Sequence, residues 1–295
     1  MKFKLLFALV FIYAINVYAQ NVNQVILTKA GDSILIDRID RTAFELASFN
    51  TWFQEKYDQY IVNRDLTTTI KDSLQGFNIK VFFGTWCGDS RRELPRFLKV
   101  LDHSGFPMEQ LEMHALNNTE EAYKQSPSKI EHGLNIHRVP TFIFYKDGEE
   151  INRIVEYPLE TFERDIYNIV INKNYRPNYQ VANYLGNLIQ QSGVELLKNQ
   201  ETSLLTRLAE YVKGSKELNT LGYVYLRSHQ SEKALYVFDL NSKLFPYNPN
   251  VWDSFGEGHY SSGNFIEALK YYEKVLALRP NDEHALKMIE DIRQK

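Results

Sequence analysis

Cysteine is almost absent from this chain of 295 residues, which contains only Cys87. A single cysteine excludes an internal disulfide and a cysteine-based zinc site, so any chemistry at Cys87 is that of one thiol. The seven histidines lack the His-x-x-x-His and His-Glu-x-x-His spacings of common metal sites. No phosphate-binding loop, paired-carboxylate motif or Ser-His-Asp order is found, so the sequence predicts neither a metal nor a cofactor. The formal net charge of −3 also lacks the basic excess typical of nucleic-acid binding.

Long apolar runs are likewise absent after the first segment of the chain. Residues 1–19 contain two lysines, then an apolar run from Leu5 to Val17, and end on Ala19. This is the three-part pattern of a secretory signal, and the apolar run is short for a membrane span. We expect an exported chain, periplasmic or secreted, with no membrane span after cleavage; an uncleaved N-terminal anchor is the alternative. A free thiol is unusual in such an oxidising compartment.

The composition is otherwise that of a globular protein, with 44% hydrophobic residues. Apolar periodicity and turn residues predict a hairpin of Val25–Leu27 and Ile34–Ile36, followed by helices over 42–60 and 64–74. The elements predicted next are a strand Ile79–Phe83, a helix Arg91–Leu101, a strand Leu111–Leu116, and a short helix and loop over 130–138. The last are strands Thr141–Tyr145 and Glu150–Val155 around Asp147-Gly148, and a helix Leu159–Ile171. This order predicts an α/β fold with a mixed sheet flanked by helices. Residues 20–60 are predicted to form an N-terminal extension of hairpin plus helix, and residues 61–172 the sheet domain.

The chain after Arg176-Pro177-Asn178 is predicted to be all helical and repeats itself at a spacing of 34 residues. The matching pairs are Gly222 with Gly256, Ala234 with Ala268, Leu235 with Leu269, Leu244 with Leu278, and Pro246 with Pro280. With an aromatic residue at Phe238 and Tyr272, this order resembles the tetratricopeptide repeat, so residues 178–295 are predicted to be a tetratricopeptide-type domain. Helices over about 178–212 and Glu283–Arg293 are expected to cover its ends.

The resemblance to tetratricopeptide repeats implies a protein partner bound in a groove. The positions that would line this groove are Lys216, Asn219, Tyr223, Asn250, Asp253 and Glu257. The alternative is that so short an array only packs against the first domain or forms a dimer.

Cys87 is predicted to lie where a strand ends and a helix begins. The free N–H groups and the dipole of a helix N-terminus favour thiolate over thiol. Arg91 and Arg92 add positive charge, Asp89 opposes them, and Ser90 is placed one turn on to donate a hydrogen bond to the sulfur. The alternative is a buried, inert cysteine, which is common for this residue type.

Two separate motifs resemble those of the thioredoxin family. The segment Trp86-Cys87-Gly88-Asp89-Ser90 resembles the motif Trp-Cys-Gly-Pro-Cys, and Pro95 stands where that family kinks its active-site helix. Val139-Pro140-Thr141 resembles the family's cis-proline signature. The resemblance covers about residues 61–172 and implies a thioredoxin-like fold. The single-cysteine form also looks like a subgroup exported by Bacteroidetes-type bacteria, which implies the periplasm or exterior of a Gram-negative cell.

The resemblance further implies how the site is arranged. The loop at Pro140 would face Cys87, and Val139 and Thr141 would orient a client strand against it. His137 and Arg138, directly before this loop, are expected at the rim of the groove. There His137 either tunes the thiol or contacts substrate, or is a solvated loop histidine.

Two departures from the family change the chemistry that it implies. Ser90 stands at the position of the family's second cysteine, and Val81 at that of its buried acid. A mixed disulfide at Cys87 therefore needs an external thiol for its release. The resemblance implies an exported monothiol thiol–disulfide oxidoreductase that acts on protein or small-molecule disulfides and whose helical repeats recruit a protein client or redox partner. The alternative is a non-catalytic binding module in which Cys87 is a remnant.

Overall fold

The computed structural model describes residues 22–171 and 173–295. The predicted secretory signal, residues 1–19, lies outside the described residues. In the part that is described, no helix combines the length and the apolar character needed to cross a membrane.

The N-terminal half contains a six-stranded mixed sheet. Its strands are β1 (Gln24–Leu27), β2 (Ser33–Ile39), β3 (Asn78–Phe83), β4 (Leu111–Ala115), β5 (Thr141–Lys146) and β6 (Glu149–Val155). They lie in the order β1-β2-β4-β3-β5-β6, in which β3 and β4 are parallel and all other neighbours are antiparallel. The central strands β3 and β5 are nearly continuous apolar runs because both of their faces are buried. The hairpin predicted in the N-terminal extension continues the sheet beyond β4.

Alternate residues of the central strands pack into two separate cores, because successive side chains point to opposite faces of a sheet. Val81 and Phe142 belong to the core that is shared with four helices. These are α1 (Ala47–Gln59), α2 (Arg64–Leu74), α3 (Gly88–Ser104) and α4 (Phe162–Val170). Phe82 and Ile143 pack on the opposite face against Ile136. The segment between β4 and β5 therefore covers the face that the helices leave free.

Two predicted helices differ from the structure. The short helix predicted over 130–138 is wrong, because this segment forms successive turns in which Lys129, Gly133 and Asn135 have φ between 53° and 78°. Left-handed residues at these intervals cannot continue a right-handed helix. The helix predicted over 42–60 is divided into a 3₁₀ turn and α1, since Leu46 between them has an extended backbone.

The C-terminal half is all helical. Its helices are α5 (Gln180–Ser192), α6 (Val194–Lys198), α7 (Glu201–Tyr211), α8 (Ser215–Arg227), α9 (Ser231–Leu244), α10 (Pro249–Ser261), α11 (Phe265–Leu278) and α12 (Glu283–Arg293). The 34-residue spacing sets equivalent contacts in two helix pairs. A Cβ atom built on Gly222 of α8 would lie 2.3 Å from the Phe238 ring of α9, and one on Gly256 of α10 would lie 3.1 Å from the Tyr272 ring of α11. Glycine at these positions lets each pair approach closely.

Candidate functional site

Cys87 occupies the N-cap position of α3, at the end of the loop that follows β3. Its thiol is partly exposed and donates to the carbonyl oxygen of Val139, with 3.4 Å between the two atoms. The Val139–Pro140 bond is cis, as the motif predicts. The hydroxyl of Thr141 donates to the carbonyl oxygen of Arg138 at 2.7 Å. The structure thus brings the two separated motifs of the sequence together at the thiol.

Trp86 and Gly88 flank the thiol on either side. The indole Nε1 of Trp86 donates to the carbonyl oxygen of Leu116 at 2.7 Å, which ties the residue before Cys87 to the end of β4. Gly88 is the first residue of α3, and open space surrounds its position. The helix N-terminus is therefore accessible at this point.

Ser90 and Arg91 do not play the parts expected of them from the sequence. Ser90 is buried, and its Oγ accepts the backbone N–H of Gly84 at 3.1 Å. Arg91 donates to the carbonyl oxygen of Thr85 and lies over the ring of Trp52. Both side chains form hydrogen bonds with backbone groups of the β3–α3 loop. In the described ranges, neither side chain is hydrogen-bonded to Cys87. Asp89, expected to oppose the charge of Arg91 and Arg92, pairs with Arg92 at 2.7 Å.

The segment between β4 and β5 carries a residue for which the sequence offered no signal, Lys124. Its side chain is only 4% exposed, although it lies in a polar loop, and its Nζ donates to the carbonyl oxygen of His137 at 2.6 Å. Burial, together with the positive charge of Arg138, lowers the pKa of Lys124 to about 7. Negative charge on Cys87 and Glu156 acts in the opposite direction. Lys124 therefore belongs electrostatically to the surroundings of the thiol.

His137 is buried rather than solvated, so the interpretation as a solvated loop histidine is wrong. Its ring is 1% exposed, and Nδ1 lies 3.0 Å from the carbonyl oxygen of Asn135. Burial lowers the pKa of His137 to about 3, which leaves the ring neutral at physiological pH. Nε2 of His137 and Nε of the next residue, Arg138, are buried without a hydrogen-bond partner.

The helical half also contributes to the surroundings of the thiol. Arg138 pairs with Glu156 at 3.0 Å, and the hydroxyl of Tyr179 donates to the same carboxylate. The guanidinium of Arg138 lies 4.6 Å from the centre of the Tyr179 ring. Tyr179 directly precedes α5, so this cluster joins the loop before Pro140 to the first helix of the array.

Further contacts between the two halves involve the same β4–β5 segment. Glu120 pairs with Arg227 of α8 at 3.1 Å, and the side chain of Gln125 donates to the carbonyl oxygen of Arg227 at 2.9 Å. Asn135 donates to Asn187 of α5 at 2.5 Å. The segment that carries Lys124 is thus held between the thiol site and the helical array.

The six residues predicted to line a partner groove lie on the neighbouring helices α8 and α10, and we call their surface the α8–α10 face. Side-chain hydrogen bonds join the two helices: Asn219 donates to Ser254 at 2.8 Å, and Tyr223 donates to Glu257 at 2.6 Å. Two other members of the face are hydrogen-bonded to residues outside it, Asp253 to His284 of α12 and Asn250 to Arg279. Lys216 is exposed. The face is polar and carries both signs of charge.

Over residues 22–171 and 173–295, no cluster of three or more His, Cys, Asp or Glu side chains is arranged to hold a metal ion.

Comparison with known proteins identifies the repeat most clearly. Residues 249–282 match the family model for the tetratricopeptide repeat. The chain is 30% identical over 74 residues to anaphase-promoting complex subunit 6 of Dictyostelium discoideum, which covers 25% of this chain and 9% of that protein. It is 24% identical over 144 residues to superkiller protein 3 of Schizosaccharomyces pombe, which covers 48% of this chain and 10% of that protein. The chain therefore spans about a tenth of the length of these two relatives.

A further relative is of a different kind. The chain is 28% identical over 109 residues to a thioredoxin-like protein of Acanthamoeba polyphaga mimivirus, which covers 37% of this chain and 74% of that protein. Among solved structures, a mutant of the protein MamA is similar at 24% identity and a TM-score of 0.32, over 40% of this chain and 84% of that one. The chain thus combines a mixed sheet and its helices with a C-terminal region that contains tetratricopeptide repeat sequence.

Proposed function

We propose that this chain is a protein-binding module and that the α8–α10 face recruits its partner. The observation that carries this proposal is the tetratricopeptide match over residues 249–282, together with the equivalent packing of Gly222 and Gly256 in consecutive helix pairs. Repeats of this kind stack into extended surfaces that bind other proteins.

The contacts between the two halves favour an external partner over simple packing of the array against the sheet. The contacts that cross to α8 and α5 involve Arg227 at the end of α8, and Asn187 and Tyr179 at α5. Lys216 and Asn250 remain exposed at the other end of the face. An array whose purpose was only to cover the sheet would have these positions buried.

A double substitution on this face tests the proposal. We expect Lys216→Ala with Asp253→Ala to reduce partner capture at least about tenfold, since the loss of two good contacts at about 1 kcal/mol each exceeds the roughly 1.4 kcal/mol that corresponds to a factor of ten. The matched control is Glu273→Ala with Lys274→Ala, which removes one exposed charge of each sign from α11. Capture is measured by photo-crosslinking in cell-envelope extract and quantitative mass spectrometry. Equal capture by the two variants would refute partner binding at this face.

The position of Cys87 favours a second function, monothiol exchange. We propose that residues 61–172 have a thioredoxin fold and that an exported form of the chain, in the periplasm or outside the cell, acts on disulfides. The viral thioredoxin-like relative and the approach of the Cys87 sulfur to Val139 beside Pro140 support this proposal. The N-terminal sequence pattern of residues 1–19 supports export.

The exchange requires two steps. The Cys87 thiolate attacks one sulfur of a client disulfide, so that a mixed disulfide forms and the client's other sulfur leaves as a thiolate. A thiolate from another molecule, or from the client itself, then attacks the client sulfur of the mixed disulfide and releases Cys87 as a thiolate. Ser90 cannot supply this second thiolate. The test is whether disulfide-linked complexes depend on Cys87.

A further inference from the structure

Lys124 is an unusual residue because it is buried without an ionic partner. Lysine is rarely fully buried unless it is paired, yet the 4% exposed side chain of Lys124 makes no ion pair with a carboxylate in the described structure. Its ammonium group has three N–H donors, and one carbonyl oxygen, that of His137, accepts from it. The Tyr123 ring also faces this group, with its centre 4.5 Å from Nζ. Because burial disfavours the charged form, an anion close to the site would stabilise it.

The anions near Lys124 are the carboxylate of Glu156 and the thiolate of Cys87. Glu156 already has two partners, since Arg138 pairs with it at 3.0 Å and Tyr179 donates to it. The guanidinium of Arg91 donates to the carbonyl oxygen of Thr85, and in the described ranges no cationic side chain donates a hydrogen bond to the Cys87 sulfur.

The geometry places Lys124 on the loop segment that Cys87 faces. The His137 carbonyl that Lys124 holds is two residues before Val139, whose own carbonyl oxygen lies 3.4 Å from the Cys87 sulfur. The preceding residue, Tyr123, has its ring 6.2 Å from that of Trp86, next to Cys87 in the chain. Lys124 is therefore connected to the thiol through the backbone of residues 137–139, which it helps to order.

We propose that Lys124 is a positioning residue for the thiol: its ammonium group is the counter-charge of the Cys87 thiolate and holds residues 137–139 against the sulfur. This inference rests on the proposed monothiol function. The sequence indicated that Arg91 and Ser90 would stabilise the thiolate, but both side chains are hydrogen-bonded to the backbone of other residues. Lys124 takes this electrostatic role instead.

The pH dependence follows from the groups that face Lys124, namely Cys87, Tyr123, His137, Arg138 and Glu156. His137 stays neutral, and Arg138 and Glu156 stay paired. Since the pKa of Lys124 is about 7, the amine carries its charge below pH 7 and loses it above. Its support of the thiolate is therefore largest in mildly acidic solution.

The same burial makes a prediction about stability. The folded pKa of about 7 lies below the ordinary value of 10.5, so the unfolded chain binds more protons between these values. The free energy of unfolding therefore increases as the pH rises from about 7 towards 10.5. Lys124→Met is expected to abolish this increase and to raise the urea midpoint at pH 7.

The test is the rate at which iodoacetamide alkylates Cys87 at pH 6, which reports one site because the chain has no other cysteine. We expect Lys124→Met to slow alkylation about tenfold and Lys124→Arg to stay within about threefold of the wild type, because arginine keeps the charge. The wild type and Lys124→Met should converge above pH 9. The control is Lys129→Met, an exposed lysine of the same loop, with an unchanged rate.

Two results would overturn the inference. One is a wild-type alkylation rate in Lys124→Met at pH 6. The other is equal slowing in Lys124→Met and Lys124→Arg, which would show that shape rather than charge matters. Either result would leave the monothiol function standing if disulfide-linked complexes still formed through Cys87, so the two failures are distinguishable.

Discussion

Replacement of Cys87 by serine is expected to abolish every disulfide-linked complex that the chain forms with proteins of a cell-envelope extract. The effect should be complete, because the chain has no second thiol through which an adduct can form. The measurement uses protein without residues 1–19 and separates adducts on non-reducing gels before mass spectrometry. Dithiothreitol should separate the wild-type adducts, because it reduces the disulfide bonds that hold them. If wild-type protein yields no adducts that depend on Cys87, monothiol exchange is refuted.

A second thiol at the position of Ser90 should have a different effect. Ser90 lies one turn into α3 from Cys87, and a cysteine there can attack the mixed disulfide from within the chain. We therefore expect Ser90→Cys to lower the yield of trapped adducts several-fold and to increase the turnover of a disulfide substrate. An unchanged yield together with unchanged turnover would show that a thiol at position 90 does not reach the mixed disulfide.

Substitution of Gly222 by alanine is expected to produce the largest loss of stability in the helical half. The added Cβ atom would lie 2.3 Å from the ring of Phe238, which is fully buried and has no room to move aside. Overpacking of this kind costs about 1–3 kcal/mol, and the severe overlap places Gly222→Ala towards the upper value. The urea midpoint of the helical transition, followed by circular dichroism, measures the effect.

Two other glycines, at which an added Cβ atom would have more space, serve as comparisons for the predicted loss of stability. Gly256→Ala should cost less, because its Cβ atom would lie 3.1 Å from the Tyr272 ring. Gly76→Ala, with its nearest atom at 3.8 Å, should be neutral or stabilising by up to about 1 kcal/mol, since alanine reduces the entropy of the unfolded chain. A loss at Gly76 as large as that at Gly222 would contradict the packing argument.

Local sequence patterns predicted most of the elements of the fold. The helix over Arg64–Leu74, the apolar strands β3 and β5 and the Asp147-Gly148 hairpin all follow from periodicity and turn chemistry, which act over a few residues. The 34-residue spacing predicted the contacts of Gly222 and Gly256, because equivalent positions in stacked helix pairs have equivalent neighbours.

Features that depend on distant contacts were not predictable in this way. Leu185-Gly186 of α5 matches Leu221-Gly222 at a spacing of 36 residues, and this offset hides it from a search at 34. A Cβ atom built on Gly186 would lie 2.8 Å from Asn135 of the sheet domain rather than from a following helix.

The candidate site shows the same division. The motifs placed Cys87 beside Val139 and Pro140 because they resemble a known arrangement. The orientation of the Ser90 hydroxyl depends on the backbone N–H of Gly84, which requires an acceptor. The burial of Lys124 depends on the carbonyl oxygen of His137, which accepts from its ammonium group. Neither requirement is visible in the residues that surround Ser90 or Lys124 in the sequence.

The measurement that tests the central claim most directly is the Kd of the captured partner for three forms of the chain: the wild type, Cys87→Ser, and Lys216→Ala with Asp253→Ala. If the α8–α10 face recruits the partner, Cys87→Ser binds with the wild-type Kd, and the double variant binds at least about tenfold more weakly. A double variant that binds as tightly as the wild type would contradict the account.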